Sequence, residues 1–475
     1  MGFDQMKVCK FGGTSVASAE QIKKVVAIIK EDSTRKIIVV SAPGKRFEDD
    51  VKVTDLLIIL SEAALYGGDV EGTLNKVMNR YALIAEGLGL ETEIMEVIKS
   101  DLHKRLLFDK SHSTIFSDQL KASGEDNLAK IVAAYLVSIG LNAEYINPHE
   151  AGLIVTGWPE RTQALPEAYK SLSELRNNVS ICVFPGFFGF TKEGILRTFD
   201  RGGSDITASI LAAAVNANLY ENFTDVDCVF VANPKIINNP VEIERMTYRE
   251  MRELSYAGFA VLHDEALMPA FQKSIPVCIK NTNNPLAPGT MIVSEREVSL
   301  RPVTGISADS GFSTLYVSKY LMNREIGFGR KLLQILEDEG ISYEHTPSGI
   351  DNISVILRSN QLTEDKEARI LNRIKNELQA EDVQIRSDLS MVVLVGEGMN
   401  NSIGLAARAT AAISRTGANI EMINQGSSEV SLVFGVLMIN QGSSEVSLVF
   451  GVLKKDETKI LNELYKEFFT PALVI

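Results

Sequence analysis

An ammonium, two glycines and two hydroxyls stand together in Lys10-Phe11-Gly12-Gly13-Thr14-Ser15, at the end of a strand-length apolar run and ahead of a helical pattern. Such glycines let backbone amides approach a phosphate closely, and amides at a helix start favour negative charge. A lysine at the strand end can meet the charge that builds on a phosphoryl group in transfer. The segment is not a Walker A loop, because the lysine precedes the glycines. Taken alone, it also fits a plain strand-to-helix turn with an exposed lysine. A second loop, Arg201-Gly202-Gly203-Ser204-Asp205, repeats the theme ahead of a small-residue helix over 206–214. Its guanidinium suits a bidentate grip on a carboxylate, and its aspartate can orient a lysine or help to hold a metal. A tight turn capped by Asp205 is the simpler alternative. Two glycine-flanked, hydroxyl-bearing loops in one segment favour anion chemistry over two coincidental turns. Thr224 and Asp225, at the end of the run YENFT, put a hydroxyl and a carboxylate where open α/β sheets bind ligands. Glu125, in Ser123-Gly124-Glu125, precedes a helical pattern; it can hold a ligand ammonium or simply favour the helix N-terminus.

Positioning those groups takes an alternation of strands and helices. Strand-length apolar runs occur at 6–11, 36–41, 152–156, 181–184, 220–224 and 276–280, with helical patterns such as 21–30 and 126–137 between them. Strands apolar on both faces and joined through helices imply a mainly parallel sheet between helix layers. Ser18, with Gln21 three positions later, carries a capping-box signature for the first helix. The turn-rich run NTNNPLAPGT at 281–290 marks the end of this α/β domain. Two smaller units follow: STLYVSK, GFGRKLLQILEDEG and NISVILR, then SMVVLVGE, SIGLAARATAAISRTG and EVSLVFGVL. Two β-α-β-β-α-β patterns in tandem read as a pair of ferredoxin-like modules.

The second module contains an exact tandem repeat: 422–437 and 438–453 are both MINQGSSEVSLVFGVL. Two copies of so short a unit do not make a solenoid. The repeat length is even, so a shift by one copy keeps the same side chains on the core face, and two registers compete for one sheet position. We read it as a duplication without functional meaning.

Length and charge bound the rest. A chain of 475 residues suggests about three domains. Sixty-one acidic against 48 basic residues, a net charge of −13, argue against a nucleic-acid partner. An anionic substrate would then need basic residues concentrated locally against an adverse field. Cys9, Cys182, Cys228 and Cys278 lie far apart without a C-x-x-C pair, so neither a zinc knuckle nor a disulfide scaffold is expected. The five histidines share no metal-ligand spacing, and no metal site built by the protein alone is expected. No apolar run spans a bilayer and no signal-peptide core is evident, so a cytoplasmic protein without a membrane partner is expected.

In their order along the chain, KFGGTSV, VVSA, VTDLL, SGE, RGGSD, FTDVD, ELSYAGFAVLH and IPVCIKNTNNPLAPGT resemble the aspartate kinases, of the amino-acid kinase family. The resemblance runs from Lys7 to the end, the two C-terminal modules being similar to ACT domains. It implies an α/β, three-layer αβα amino-acid kinase fold with a mainly parallel sheet over 1–295, followed by two ferredoxin-like (βαββαβ) ACT domains. One would occupy 310–385, the other 300–309 and 386–475. It also implies ATP-dependent phosphorylation of the β-carboxylate of L-aspartate to 4-phospho-L-aspartate, with Mg2+, at the entry to lysine, threonine and methionine synthesis. Carried over by motif, Lys10 stabilises the transferring phosphoryl group and Asp205 organises the site. Arg201 binds the α-carboxylate of aspartate and Glu125 its α-amino group, while Ser41, Thr54 and Ser204 supply hydroxyl contacts. Gly12, Gly13 and Thr14 form the phosphate loop, Thr224 and Asp225 lie where aspartate and nucleotide meet, and Phe230 and Lys235 stand on the nucleotide side.

The resemblance further implies an effector amino acid bound at an ACT–ACT interface of a homodimer or homotetramer. Its loop contains Met322, Gly327 and Phe328, and a strand containing residues 342–346 adds Ser342 and Glu344. Glu344 would tolerate a second positive charge, which puts lysine ahead of threonine. The chain departs from the family pattern on the nucleotide side: Ala260 replaces a basic residue, Phe230 a tyrosine, Asn233 an acid and Lys235 an arginine. Lys45, Arg46 or Lys235 are the candidates to compensate. Two alternatives remain open at this point: an amino-acid-sensing regulatory protein with an impaired kinase domain, and another amino-acid kinase such as a glutamate kinase. The Arg201–Glu125 pairing and the paired C-terminal modules favour aspartate.

Overall fold

Strand alternation decides what each face of the central sheet carries. The computed structural model describes residues 5–200, 202–259, 262, 266–297, 301–426, 440–442 and 447–470. It divides into two compact units: Met1–Val229, Ile243–Tyr248 and Val261–Arg296 form one, and Phe230–Glu242, Arg249–Ala260 and Glu297–Ile475 the other.

The first unit opens with β1 (Lys7–Phe11), α1 (Ala19–Glu31) and β2 (Arg35–Val40). Four helices follow, α2 (Val53–Tyr66), α3 (Val70–Leu88), α4 (Glu93–Leu106) and α5 (Ser113–Ser138). Next come β3 (Ala143–Tyr145), α6 (Pro166–Leu172), β4 (Ile181–Pro185), the hairpin β5 (Phe188–Phe190) and β6 (Leu196–Thr198), α7 (Gly203–Ala214) and β7 (Leu219–Thr224). The short strands β8 (Val229–Phe230) and β9 (Glu242–Ile243) stand where the chain leaves this unit and returns to it. β10 (Arg245–Thr247) belongs to the first unit, α8 (Tyr248–Tyr256) belongs to the second from Arg249 on, and α9 (Met268–Gln272), β11 (Val277–Asn281) and β12 (Thr290–Val293) complete the first. The eight-stranded sheet runs β10-β12-β11-β7-β1-β2-β4-β3, parallel except for β11 against β12.

On β1, Cys9 and Phe11 turn toward a core shared with Ile22, Leu57, Tyr81 and Leu128 of helices α1, α2, α3 and α5. Lys10 turns the other way, toward α7, which packs on β1, β2 and β7 under α6 and α9. Register pairs Cys9 with Glu221 and Lys10 with Asn222, so β7 divides in the same way. On the five-helix side this creates a buried ion pair: Arg35 Nε and Nη2 donate to Glu221 at 2.6 and 3.0 Å. Cys9 Sγ lies 3.4 Å from the same carboxylate. Burial, then the Glu221 charge, pushes the Cys9 thiol up, which makes it a poor nucleophile. Glu221→Ala leaves a guanidinium buried without its partner and is expected to cost about 3–5 kcal/mol in urea unfolding. An unchanged midpoint would show that the pair contributes nothing to stability.

Two expectations change here. Residues 152–156 form no strand; they make only isolated bridges, Ile154 with Phe190 and Val155 with Ala164. Their apolar character serves packing, because Val155 Cγ1 and the Leu153 carbonyl fill the place of a side chain at Gly189, 2.7 and 2.8 Å from where its Cβ would be. The run 281–290 is not the end of the domain but the turn between β11 and β12. There Gly289, at φ +77°, passes so close to Ile279 that a Cβ would sit 2.1 Å from its carbonyl oxygen.

The second unit contains β13 (Gly305–Ser318), α10 (Phe328–Asp338), β14 (Asn352–Arg358), α11 (Glu364–Glu377) and β15 (Asp382–Val395). It ends with α12 (Leu405–Arg415), β16 (Met422–Gly426), β17 (Asn440–Gly442), β18 (Ser447–Leu453) and α13 (Glu457–Phe469). One six-stranded sheet, β14-β13-β15-β18-β16-β17, serves both modules, because β13 and β15 are 14-residue strands that run through both. Residues 342–346 are not a strand; among them only His345 bridges, to Ile356.

The repeat contributes its head from one copy and its tail from the other. β16 comes from the first copy and pairs antiparallel with β18 from the second. β17, from the second copy, runs parallel to β16 with like residues opposite each other, Asn424 with Asn440 and Gln425 with Gln441. The rest of the repeat lies outside the described residues. Deleting 427–442 would restore a single MINQGSSEVSLVFGVL and shorten the connection that must close the β16–β18 pair. The melting temperature should be equal or higher; a lower one would mean that the second copy stabilises the module.

Candidate active site

Four parallel strands end on one edge of the sheet, β1 at Phe11, β2 at Val40, β4 at Pro185 and β7 at Thr224. This carboxyl edge is where open α/β sheets place ligands. Lys10, one residue before the end of β1, is buried, and its Nζ lies 2.7 Å from Asp205 Oδ1. Asp205 belongs to the first turn of α7, which Gly202 opens in a left-handed conformation at φ +76°. Asn222 on β7 completes the cluster: its Nδ2 donates to Asp205 Oδ1 at 2.8 Å, and its Oδ1 lies 3.5 Å from Lys10 Nζ. Tyr220, two residues back on the same face, accepts from Asn222 at 3.2 Å. The ammonium is thus held from two sides.

Close approach requires a glycine at 44, where a Cβ would sit 2.5 Å from the Gly13 carbonyl carbon, whereas a Cβ on Gly12 would make an ordinary contact with Lys10 Nζ at 3.5 Å. Gly44 N–H donates to the Gly13 carbonyl at 2.8 Å, so the loops after β1 and β2 lie against each other. A 3-10 turn, Gly13–Val16, separates the first loop from α1, whose N-cap is Ser18 accepting from Gln21 N–H. Any phosphate at Gly12 and Gly13 therefore meets loop amides, not the start of α1. Thr14 is exposed, Ser41 is half-buried just beyond β2, and Thr54 is half-buried in the first turn of α2. Ser204 is buried against Gly186, where a Cβ would come within 2.6 Å of its Oγ.

Glu125 is the largest departure from the sequence reading. It does not precede a helix; it sits in the middle of the 26-residue α5, with no helix start near it. Gly124 is tolerated there because Ala42 and Leu57 pack into its place, at 2.8 and 3.3 Å from an added Cβ. Tyr81 Oη donates to the Gly124 carbonyl at 2.9 Å and fixes that turn. Beside it, Glu125 is 5% exposed, and its Oε2 is buried without a hydrogen-bond partner. Burial pushes the carboxyl up to about 8, although the Ala42 N–H pulls the other way. A buried carboxyl next to Ser41 and Ala42 with one oxygen left over suits a ligand cation.

The remaining expectations divide. Thr224 and Asp225 end β7, with Thr224 Oγ1 and Asp225 Oδ1 3.2 Å apart. Arg201, Ala260 and His263 lie outside the described residues. Phe230 and Lys235 belong to the second unit, Lys235 exposed with its N–H bonded to Asn233 Oδ1. Lys45 and Arg46 are committed within their own loop. Arg46 Nε donates to Asp50 at 2.8 Å and Lys45 Nζ to the Glu48 carbonyl at 2.8 Å. Arg80, which the sequence did not single out, clamps the same loop through Asp50 at 3.0 Å and the Gly44 carbonyl at 2.8 Å.

In the first C-terminal module, Met322 and Phe328 bury their side chains in its core with Leu315, Leu332 and Val355. Gly327 opens α10 at φ +80°. Ser342 N–H and Oγ both donate to Gln361 Oε1, and Glu344 shares Arg358 with Asp309, at 3.3 and 2.7 Å.

Comparison with known proteins agrees with this geometry. Residues 5–281 match the model of the amino acid kinase family, and residues 392–437 match an ACT domain. Aspartokinase 3 of Bacillus subtilis is 52% identical over 99% of this chain and 100% of its own length. The crystal structure of Clostridium acetobutylicum aspartate kinase, described as an allosteric enzyme, superposes with a TM-score of 0.83 at 36% identity, covering 98% of this chain and all of that one. Escherichia coli aspartokinase III, solved with aspartate and ADP, shares the fold at a TM-score of 0.75 and 23% identity, over 98% of this chain and all of that one. Identity of this extent along the whole length, with the kinase sheet and ACT modules in the same order, makes this chain a member of the aspartokinases within the amino acid kinase family.

Proposed function

We propose that the protein transfers the γ-phosphoryl group of ATP to the β-carboxylate of L-aspartate. The observation that carries this reading is a buried lysine at the sheet's carboxyl edge together with a buried carboxyl, beside the loop that follows β2, one of whose oxygens has no partner. Lys10 would neutralise charge on the moving phosphoryl group, and Glu125 would receive the α-ammonium of the amino acid. Arg201 would hold the α-carboxylate, with Ser41, Thr54 and Ser204 around it. Gly12, Gly13 and Thr14 would face the nucleotide phosphates, with Thr224, Asp225, Phe230 and Lys235 on the nucleotide side. A carboxylate oxygen attacks phosphorus as the bond to the ADP oxygen breaks; the acceptor is already ionised, so no general base is needed. Positioning and charge neutralisation are what remain for the protein to supply.

Magnesium fits the same picture. Among the described residues no group of three or more His, Cys, Asp or Glu side chains is placed to hold a metal alone. Mg2+ characteristically keeps water and phosphate ligands and takes one or two carboxylates, for which Asp205 and Asp225 are available. The ion would supply charge neutralisation between the terminal phosphates.

The ACT modules would bind an end-product amino acid, lysine before threonine, near Gly327, Ser342 and Glu344, and would join subunits into a homodimer or homotetramer. Tyr320 and Ile326 are 68% and 95% exposed beside that loop, apolar surface that a second subunit would cover. The four cysteines are buried and no disulfide joins them, in keeping with a cytoplasmic location. No helix among the described residues is long and apolar enough to cross a membrane. The test is ADP release at saturating ATP and magnesium, with hydroxylamine present to trap an acyl phosphate as its hydroxamate. Both signals should require L-aspartate and be absent with L-glutamate. No aspartate-dependent ADP release would overturn the proposal.

A further inference from the structure

A second cleft in the kinase unit shares no residue with the site above. It has a volume of about 720 Å3 and lies between the start of α5, the segment 155–165 and the β5–β6 hairpin. Along α5 it is about 15 Å from Glu125, ten residues from Ile115 at 1.5 Å each. Ile115, Val155, Leu165 and Ile195 make its walls, and Arg197 lies at its floor. Arg197 is 7% exposed, and its Nε and Nη1 are buried without a hydrogen-bond partner. Its Nη2 makes only long contacts, 3.2 Å to Thr162 Oγ1 and 3.4 Å to the Glu160 carbonyl.

The nearest anion does not satisfy this guanidinium. Asp118 Oδ2 stands 3.9 Å from Arg197 Nε, outside hydrogen-bond range. That carboxylate is already engaged by Lys121 at 2.7 Å and by Thr198 Oγ1 and N–H at 2.8 and 3.3 Å. Arg197 thus shares one buried carboxylate with Lys121, and its Nη1 group is left without a hydrogen-bond partner for an anion. Trp158 covers it, the Arg197 Cζ lying 5.7 Å from the ring centroid. The indole is 71% exposed, so it can leave without uncovering a core. Around the mouth, Lys192 pairs with Glu167 at 2.7 Å, and Glu160 and Glu193 stand exposed.

We propose that this cleft is a binding site for a small carboxylate with a branched aliphatic tail. The carboxylate takes the unpartnered Nη1 group of Arg197 in place of the Trp158 indole, and the tail lies against Val155, Leu165 and Ile195. Glu160 and Glu193 are placed to accept an α-ammonium, so an amino acid of this shape and its deaminated analogue both qualify. Leucine and 4-methylpentanoate distinguish the two sources.

Trp158 is the only tryptophan of the chain, so its emission reports directly on the site. The full-length protein is titrated with leucine, 4-methylpentanoate and the methyl ester of the latter, following fluorescence and heat. At least one of the two acids should give a saturable change, the ester none. Arg197→Gln should weaken binding at least tenfold. Ile195→Glu, which sets a like charge at the mouth and leaves Arg197 in place, should do the same and decides the matter if the first variant does not fold. Tighter binding of leucine identifies the amino acid as the ligand class; tighter binding of 4-methylpentanoate identifies the simple acid. No saturable signal from either acid, equal binding of the ester, or undiminished binding in a folded variant would overturn the proposal.

Discussion

Lys10→Ala is expected to lower kcat by about 10³-fold, the scale on which removing one preorganised charge-stabilising group acts. Asp205, left behind, keeps the Asn222 amide at 2.8 Å, but its side chain is only 14% exposed and loses its counter-charge, so the melting temperature should fall. Turnover is therefore compared below the variant's own melting transition, where it should still collapse. The KM for aspartate should also change little, because the amino acid would be gripped by Glu125 and Arg201. Loss confined to kcat marks a group acting chiefly in the transition state. Asn222→Ala provides the contrast: it removes the bridge but not the charge and should cost less. If Lys10→Ala retained kcat within tenfold of the parent, phosphoryl stabilisation would have to come from elsewhere.

Much of this arrangement was legible in the chain, and the part that was not has a physical reason. Lys10 and Asp205 were found because glycines flank them, and glycine at a close approach leaves a clear mark in a sequence. Asn222 was missed although it lies two residues before Thr224; its role depends on the register of β1 with β7, which local pattern does not state. Arg80 carried no local signal, since its partners at Gly44 and Asp50 are 30 or more positions away. The placement of Glu125 failed because Gly124 reads as a helix boundary. Only the packing of Ala42 and Leu57 into its place makes it helix interior. In the C-terminal part the principal helices and strands were legible, the strand expected over 342–346 was not formed, and β13 and β15 exceed any single module. Their double length follows from sharing one sheet between two modules, which periodicity within each could not reveal.

Glu125 yields the prediction with the clearest sign. Burial raises its folded-state pKa to about 8 from an ordinary 4.5, so between those values the folded protein binds a proton that the unfolded chain has released. Stability must then fall as pH rises through that window, by up to about 5 kcal/mol once pH exceeds 8, for 1.36 kcal/mol per pKa unit. Glu125→Gln removes the ionisation while keeping an acceptor for the Ala42 N–H. The variant and parent should unfold at similar urea concentrations at pH 5, and the variant should be the more stable by a few kcal/mol at pH 8.5. Function should run the opposite way. An α-ammonium needs the carboxylate form, so aspartate binding at pH 7 should release close to one proton, seen as a dependence of the binding heat on buffer ionisation. Its apparent affinity should rise with pH until about 8 and then level off. In Glu125→Gln the proton release disappears and the aspartate KM rises by about 10²-fold, the worth of one charge-assisted hydrogen bond at its upper range. A stability gain without that loss of affinity would mean that the buried carboxyl serves another cation. Parallel pH curves for the two proteins would mean that the carboxyl does not titrate above its ordinary range.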